Sequence, residues 1–317
     1  MMYALIFINY IVFALFLTAF IIEIGIALLL LISYNTKEKL LKYLMPMWEI
    51  DGTFAIFYVV DLESTYPNIL PTAGTMYILP VLLAALFFIF RNAFLAYGEY
   101  TGKESAQKAY IRIYGIAMLV VAFIAISVLA SSVSGIGVNL AAKSLNIIAL
   151  LFNPFSLLVF FAAALLSLFA AMVIFGIRHV GAEILAAAVA VILVLIALQS
   201  YAHYIIANVL ADPMLIIIPA VLIAVAILLQ ALKKGFARHL TIAALFFSVL
   251  LFELAEYPYW FNKAVVLQSI LISGPSASYL LAFSIGGIAV LAVLIGILIY
   301  VNLLHKGDVT QEHNGGY

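Results

Sequence analysis

Residues 46–98 read PMWEIDGTFAIFYVVDLESTYPNILPTAGTMYILPVLLAALFFIFRNAFLAYG. A Trp-Glu pair opens one apolar run, and an arginine, Arg91, stands inside the next. Glu49, Asp51, Asp61, Glu63 and Arg91 all fall within or beside segments otherwise suited to lipid. A charge at a bilayer centre costs roughly 2.5–3.5 kcal/mol on insertion scales, and such charges mark pathways and buried partners. So apolar a stretch does not carry five charges without a use for them.

The rest of the chain has the same character. Its 317 residues are 68% hydrophobic and 9% charged, with a mean hydropathy of +1.28. Soluble domains are about 45–50% apolar and about 25% charged, so that class is excluded. Long apolar runs recur where an outer-membrane barrel would alternate over about ten residues, so the spans are helices. No basic tract exists for nucleic acid. There is no cysteine, which removes disulfides, thiolate chemistry and iron–sulfur ligation. The first apolar run has no basic region before it and no cleavage site, and is expected to stay as a helix.

Read outward from the opening stretch, the pattern predicts an all-α polytopic membrane protein of about nine transmembrane helices. The spans fall at 3–33, 48–66, 75–98, 108–132, 154–177, 180–203, 214–232, 238–259 and 277–305. A basic segment at 35–43 precedes the second span, and a weakly apolar connector at 134–152 is expected to lie along the interface. The predicted organisation is a first four-helix bundle at 1–133, the connector at 134–152, a second five-helix half at 153–305, and a polar tail at 306–317.

Charge counting gives the orientation. Nine spans put Lys37, Lys39, Lys42, Arg91, Lys103, Lys108, Arg112, Arg178, Lys233, Lys234, Arg238 and Lys306 on or near one side, and only Lys143 and Lys263 on the other. The positive-inside rule makes the first side cytoplasmic, so the N-terminus faces out and the C-terminus in. Tyr66-Pro67 and Tyr257-Pro258 both close outward spans after acidic residues, a faint echo of two halves.

Among groups that could carry chemistry, the histidines give little. His179, His203, His239, His305 and His313 lie at span ends or in the tail, with no metal or haem spacing between them. No metal site is predicted. The acids say more. Glu23 lies about ten residues from the inner end of the first span, roughly 15 Å deep. Glu49 and Asp51 stand at the cytoplasmic entry of the second span. A buried carboxyl suits a proton relay, or else pairs with a neighbour such as Arg91. Arg91 could equally extend its side chain to the interface. Asp61, Glu63 and Glu256 read as wet charges at the outer surface.

These residues resemble a known family, subunit II of cytochrome bd-type quinol oxidases. The resemblance rests on Pro46, Trp48 and Glu49, on Tyr66-Pro67, on Arg91 and Phe94, and on Asn153, Pro154, Phe155, Leu157 and Leu158. The last stretch, SGPSASYLLAFSIGGIAVLAVLIGILIYVNLLHK, is similar to the family's outer loop and final span. Two departures stand out. Phe20 occupies the position of an acid in the first span, where Glu23 and Gly25 are kept. Trp48-Glu49-Ile50-Asp51-Gly52 holds one residue more than the family pattern.

The resemblance implies a haem-free integral subunit in the plasma membrane. Its partner, subunit I, would carry haems b and d and oxidise quinol, with oxygen reduced to water. It further implies a cytoplasmic proton route through this chain, for which Glu49, Glu23 and Asp51 are the candidates, with Trp48 and Arg91 as motif residues. A bound quinone or lipid and a small accessory subunit fit the same picture. Two other readings are a membrane anchor for a different respiratory cytochrome complex and a proton-coupled transporter using Glu23 and Glu253. Neither accounts for Pro46-x-Trp48-Glu49 together with Asn153-Pro154-Phe155.

Overall fold

The computed structural model describes residues 2–33, 37–101, 103–177 and 179–304. The fold is a set of packed helical bundles. Among the described residues, eight helices are long and apolar enough to cross a membrane. A ninth long helix, α2, carries more charge.

The first helix, α1 (Met2–Ile32), is apolar on every side, which suits a helix surrounded by protein. It packs against α2 (Lys37–Thr65), α4 (Glu104–Ser134), α6 (Pro154–Ile174), α10 (Ala237–Glu256) and α12 (Pro275–Leu304). In its most apolar stretch 67% of residues are buried, against 17% for α3 (Leu70–Tyr100) and 11% for α9 (Met214–Ala231). Helix α1 is therefore the hub, while α3 and α9 lie at the rim.

Lipid gives apolar helices no hydrophobic reason to associate, so close backbone approach decides where they meet. Gly25 makes that approach. A Cβ there would sit 2.2 Å from the Ser167 carbonyl oxygen and 2.7 Å from Ala171 Cβ, both on α6. The glycine two residues from Glu23 thus fixes the α1–α6 crossing.

Several expected boundaries shift. The segment 35–43 is not separate, because from Lys37 onward it is the first turns of α2, where Lys, Glu and Leu favour helix. The sixth span ends early. Helix α7 (Val180–Tyr201) stops at Ala202, whose backbone leaves the helical region, and a short helix α8 (His203–Ala211) follows. The eighth span stops at Glu256 rather than 259, since Pro258 cannot continue the helix. His305, His313 and Lys306 lie outside the described residues, as does Arg178.

The connector is a folded unit. Val138–Asn139 (β1) pairs antiparallel with Ser144–Leu145 (β2), and a short helix α5 (Ile147–Leu151) leads into α6. Asn153 closes one and opens the other. Its side chain accepts from Ser156 N at 2.9 Å and donates to the carbonyls of Ala149 and Leu150, while Pro154 takes the first helical position. The same sequence of elements recurs after α10. Tyr259–Trp260 (β3) pairs with Val265–Val266 (β4), then a short helix α11 (Leu267–Ile270) leads to α12.

The two hairpins meet on one face of the molecule. Gly135, in the left-handed region at φ 71°, turns the chain out of α4. The second hairpin then closes that helix end, with Phe261 N and Asn262 N donating to the carbonyls of Ser132 and Val133 at 2.7 and 3.0 Å. The start of α1 and the end of α2 lie on this face too, since Tyr3 packs on Tyr257 and Tyr66 on Trp260.

Candidate functional site

Three helices bring charge into the core, and a fourth brings a hydroxyl to it. Arg91, on α3, is fully buried, so its side chain does not reach out to the interface. Its Nη1 lies 2.6 Å from Glu23 Oε2 on α1 and 3.5 Å from Asp51 Oδ2 on α2. Glu23 is held from its other oxygen by the Tyr114 hydroxyl of α4, which donates at 2.9 Å. Arg91 Nε donates to Asn92 Oδ1 at 3.0 Å, and Trp48 Nε1 donates to the same oxygen at 2.7 Å. The guanidinium also lies 4.1 Å from the Phe88 ring centroid and 3.1 Å, through Nη1, from Met118 Sδ.

The arrangement is a buried ion cluster with a surplus of acid. Taking such a group out of water costs several kcal/mol per ion, which only close pairing repays. Glu23 and Arg91 pair closely. Asp51 is less well served, for neither of its oxygens has a hydrogen bond, and Arg91 Nη2 also lacks one. One guanidinium faces two carboxyls, so neutrality requires one more positive charge or one proton.

The candidate residues therefore separate. Glu23, Asp51 and Arg91 come together, and Trp48 joins them through Asn92. Glu49 is exposed on α2 and stays away from the cluster, because two residues of helix turn it about 200° from Asp51. Its carbonyl accepts the Thr53 hydroxyl at 2.8 Å. The second acid at Arg91 comes from α2, whereas Phe20 of α1 packs on Phe16 at 5.7 Å between centroids. Asn92, Tyr114, Phe88 and Met118 went unread, being ordinary residues in apolar helices until tertiary packing aims them at Arg91.

Two expected surface charges are buried. Asp61 is 1% exposed and accepts Asn9 Nδ2 of α1 at 2.8 Å and the Ser284 hydroxyl of α12. Glu256 is 3% exposed near the end of α10. Both sit close to helix ends, where sequence alone suggests water, but neighbouring helices cover them. Glu63 is exposed as expected.

The three described histidines, His179, His203 and His239, are exposed and lie on separate elements. Among the described residues no group of three or more His, Asp or Glu gathers as a metal site.

Fold and site together define a polytopic helical membrane protein with an ion cluster sealed at its hub. The family profile of cytochrome bd terminal oxidase subunit II matches residues 1–305, and the chain belongs to that family. The fold is similar to the solved bd oxidase of Geobacillus thermodenitrificans, with a TM-score of 0.74 at 19% identity, over 94% of this chain and 98% of that one. No curated protein matches the chain. It is a multi-pass protein of the plasma membrane and a component of a respiratory quinol-oxidase system. Family membership sets aside the transporter and the anchor for a different cytochrome.

Proposed function

We propose that this chain is the haem-free subunit of a bd-type quinol:oxygen oxidoreductase and gives protons a route toward the oxygen-reducing centre. Haems b and d and the quinol-oxidising loop belong to a partner, subunit I. Among the described residues, exposed histidines on separate elements offer no facing pair of buried axial ligands here. A small accessory subunit and a bound quinone or lipid are compatible with this assembly.

The observation that carries the proton role is the Glu23–Arg91–Asp51 cluster. A permanently charged guanidinium holds two carboxyls in a dry core, and of the two ways to neutrality, a proton on the second carboxyl is the one this reading takes. An exchangeable proton in a fixed frame is what a relay requires. Arg91 and Tyr114 hold Glu23 in place, while Asp51, free of hydrogen bonds, is the mobile end. Glu49, exposed two residues earlier on α2, marks the entry side. On this reading the N-terminus faces out and the basic loops face the cytoplasm, as the distribution of Lys and Arg suggests, and Glu23 then falls in the cytoplasmic half.

The test is Asp51→Asn and Glu23→Gln in the purified complex, beside Glu49→Gln. Quinol-dependent oxygen consumption is expected to fall at least roughly tenfold for the two buried acids, with haem content unchanged. The Glu49 variant should lose less, because water can replace an exposed acid. Wild-type turnover in both buried variants, with full haem content, would exclude the relay.

A further inference from the structure

Two acids near the hairpin face stand together without a cation. Glu253 and Glu256 lie one turn apart on the same side of α10. Glu256 is buried and Glu253 half-buried, and neither pairs with a described lysine or arginine. The ion cluster is remote from them. Tyr10 of α1, buried within electrostatic reach of both acids, stands 13 residues before Glu23, about 20 Å along the helix.

Everything around the pair argues against two negative charges. A carboxylate in a dry core without a partner is costly, and two of them one turn apart repel. Both also lie in the last turn of α10, where the helix contributes its own negative partial charge. The neighbouring elements bring hydroxyls instead of cations. Tyr10 comes from α1, Tyr58 and Tyr66 from α2, and Tyr204 from α8, while Tyr257 follows the pair directly. Helices α6 and α9, packed on α10, have no titratable residue. Asp61 of α2 is a third acid near Tyr66, already met by Asn9 and Ser284. Lys263 keeps its Nζ over the rings of Tyr204 and Tyr259, 5.4 and 5.7 Å from their centroids, and pairs with neither Glu253 nor Glu256.

Three buried atoms point to what the pair holds. Glu256 Oε1, the Tyr204 hydroxyl and the Tyr66 hydroxyl are all shut off from water, and none has a hydrogen bond. Tyr204, 7% exposed, turns its hydroxyl toward Glu256. Tyr66, fully buried, lies within electrostatic reach of Glu253. A proton fits this place. Shared between the two carboxyls, it leaves one negative charge instead of two and makes one carboxyl an O–H donor to the other. The tyrosine hydroxyls then have a charged oxygen to donate to. We propose that Glu253 and Glu256 form a second proton-binding site, a carboxyl pair holding one proton between α2, α8 and α10, separate from the Glu23–Arg91–Asp51 cluster.

Infrared difference spectroscopy of the purified full-length protein, in the assembly in which it is isolated, tests this in an Asp51→Asn background, which removes the proton assigned to the ion cluster. At neutral pH a carboxylic-acid C=O band that shifts in D2O should be present, and raising the pH should remove it. Adding Glu253→Gln and Glu256→Gln together should abolish the band, with about one proton fewer released per chain over the same titration. Either substitution alone should move the band's titration, because the acid that remains no longer faces a second carboxyl, and Asp61→Asn should leave the band in place. A band of full size in the double variant, or an unmoved titration in both single variants, would overturn the assignment. Loss of the band when sodium or calcium replaces choline in the buffer would also overturn it, by giving the site to a metal cation.

Discussion

Arg91 is the residue on which the core depends. Removing one partner of a buried pair leaves a charge uncompensated, at a cost of about 3–5 kcal/mol. Arg91→Leu, which strands Glu23 and Asp51 together, is therefore expected to abolish assembly or to lower the melting temperature sharply, as read by fluorescence-detected size exclusion with heating. Arg91→Lys keeps the charge but cannot keep the Nε bond to Asn92, so an intermediate loss is expected. The pair Glu23 and Arg91 was legible in the sequence as charges inside apolar runs. Choosing between Glu49 and Asp51 was not, because that choice depends on which face of α2 turns toward α1 and α3. Asp61 was misread for a related reason, since its cover comes from Asn9 and Ser284, 52 and 223 residues away. Asp61→Ala leaves both donors buried and unmet, and should cost about 1–3 kcal/mol per stranded group in thermal unfolding.

At the scale of elements, contacts between helices are set by small residues and by caps. Gly25→Val would drive two methyl groups into the Ser167 carbonyl. Overpacking of this kind costs about 1–3 kcal/mol, and here it would also move Glu23. Lower thermal stability and lower oxidase turnover should appear together, and a Gly25→Val variant with wild-type melting would contradict the crossing. Asn153→Ala removes the cap of α6 and the closure of α5, for a loss of about 1 kcal/mol visible in the same melting assay. The long helices were legible because their apolar runs exceed what any soluble element needs. The hairpins and α8 were not. Strands of two residues are too short to show an alternating pattern, and the break at Ala202 has no proline or glycine to announce it.

At the scale of the molecule, the chain uses one pattern twice: helix, four-residue hairpin loop, short helix, long helix, from α4 to α6 and from α10 to α12. The echo between Tyr66-Pro67 and Tyr257-Pro258 was the faint trace of pairing visible beforehand, but they close α2 and α10 rather than equivalent repeats. The Glu23–Arg91–Asp51 cluster lies at α1, which both repeats contact through α4, α6, α10 and α12. On the proposed reading, this hub holds the Glu23–Arg91 pair in place while electron transfer belongs to the partner subunit. The measurement that tests this most directly is purification of the tagged chain from its native membrane in mild detergent, followed by a reduced-minus-oxidised spectrum and quinol-dependent oxygen uptake. The account predicts a co-purifying subunit with b- and d-type haem bands and active oxygen reduction. A stable, colourless chain, isolated without haem or oxidase activity, would contradict it.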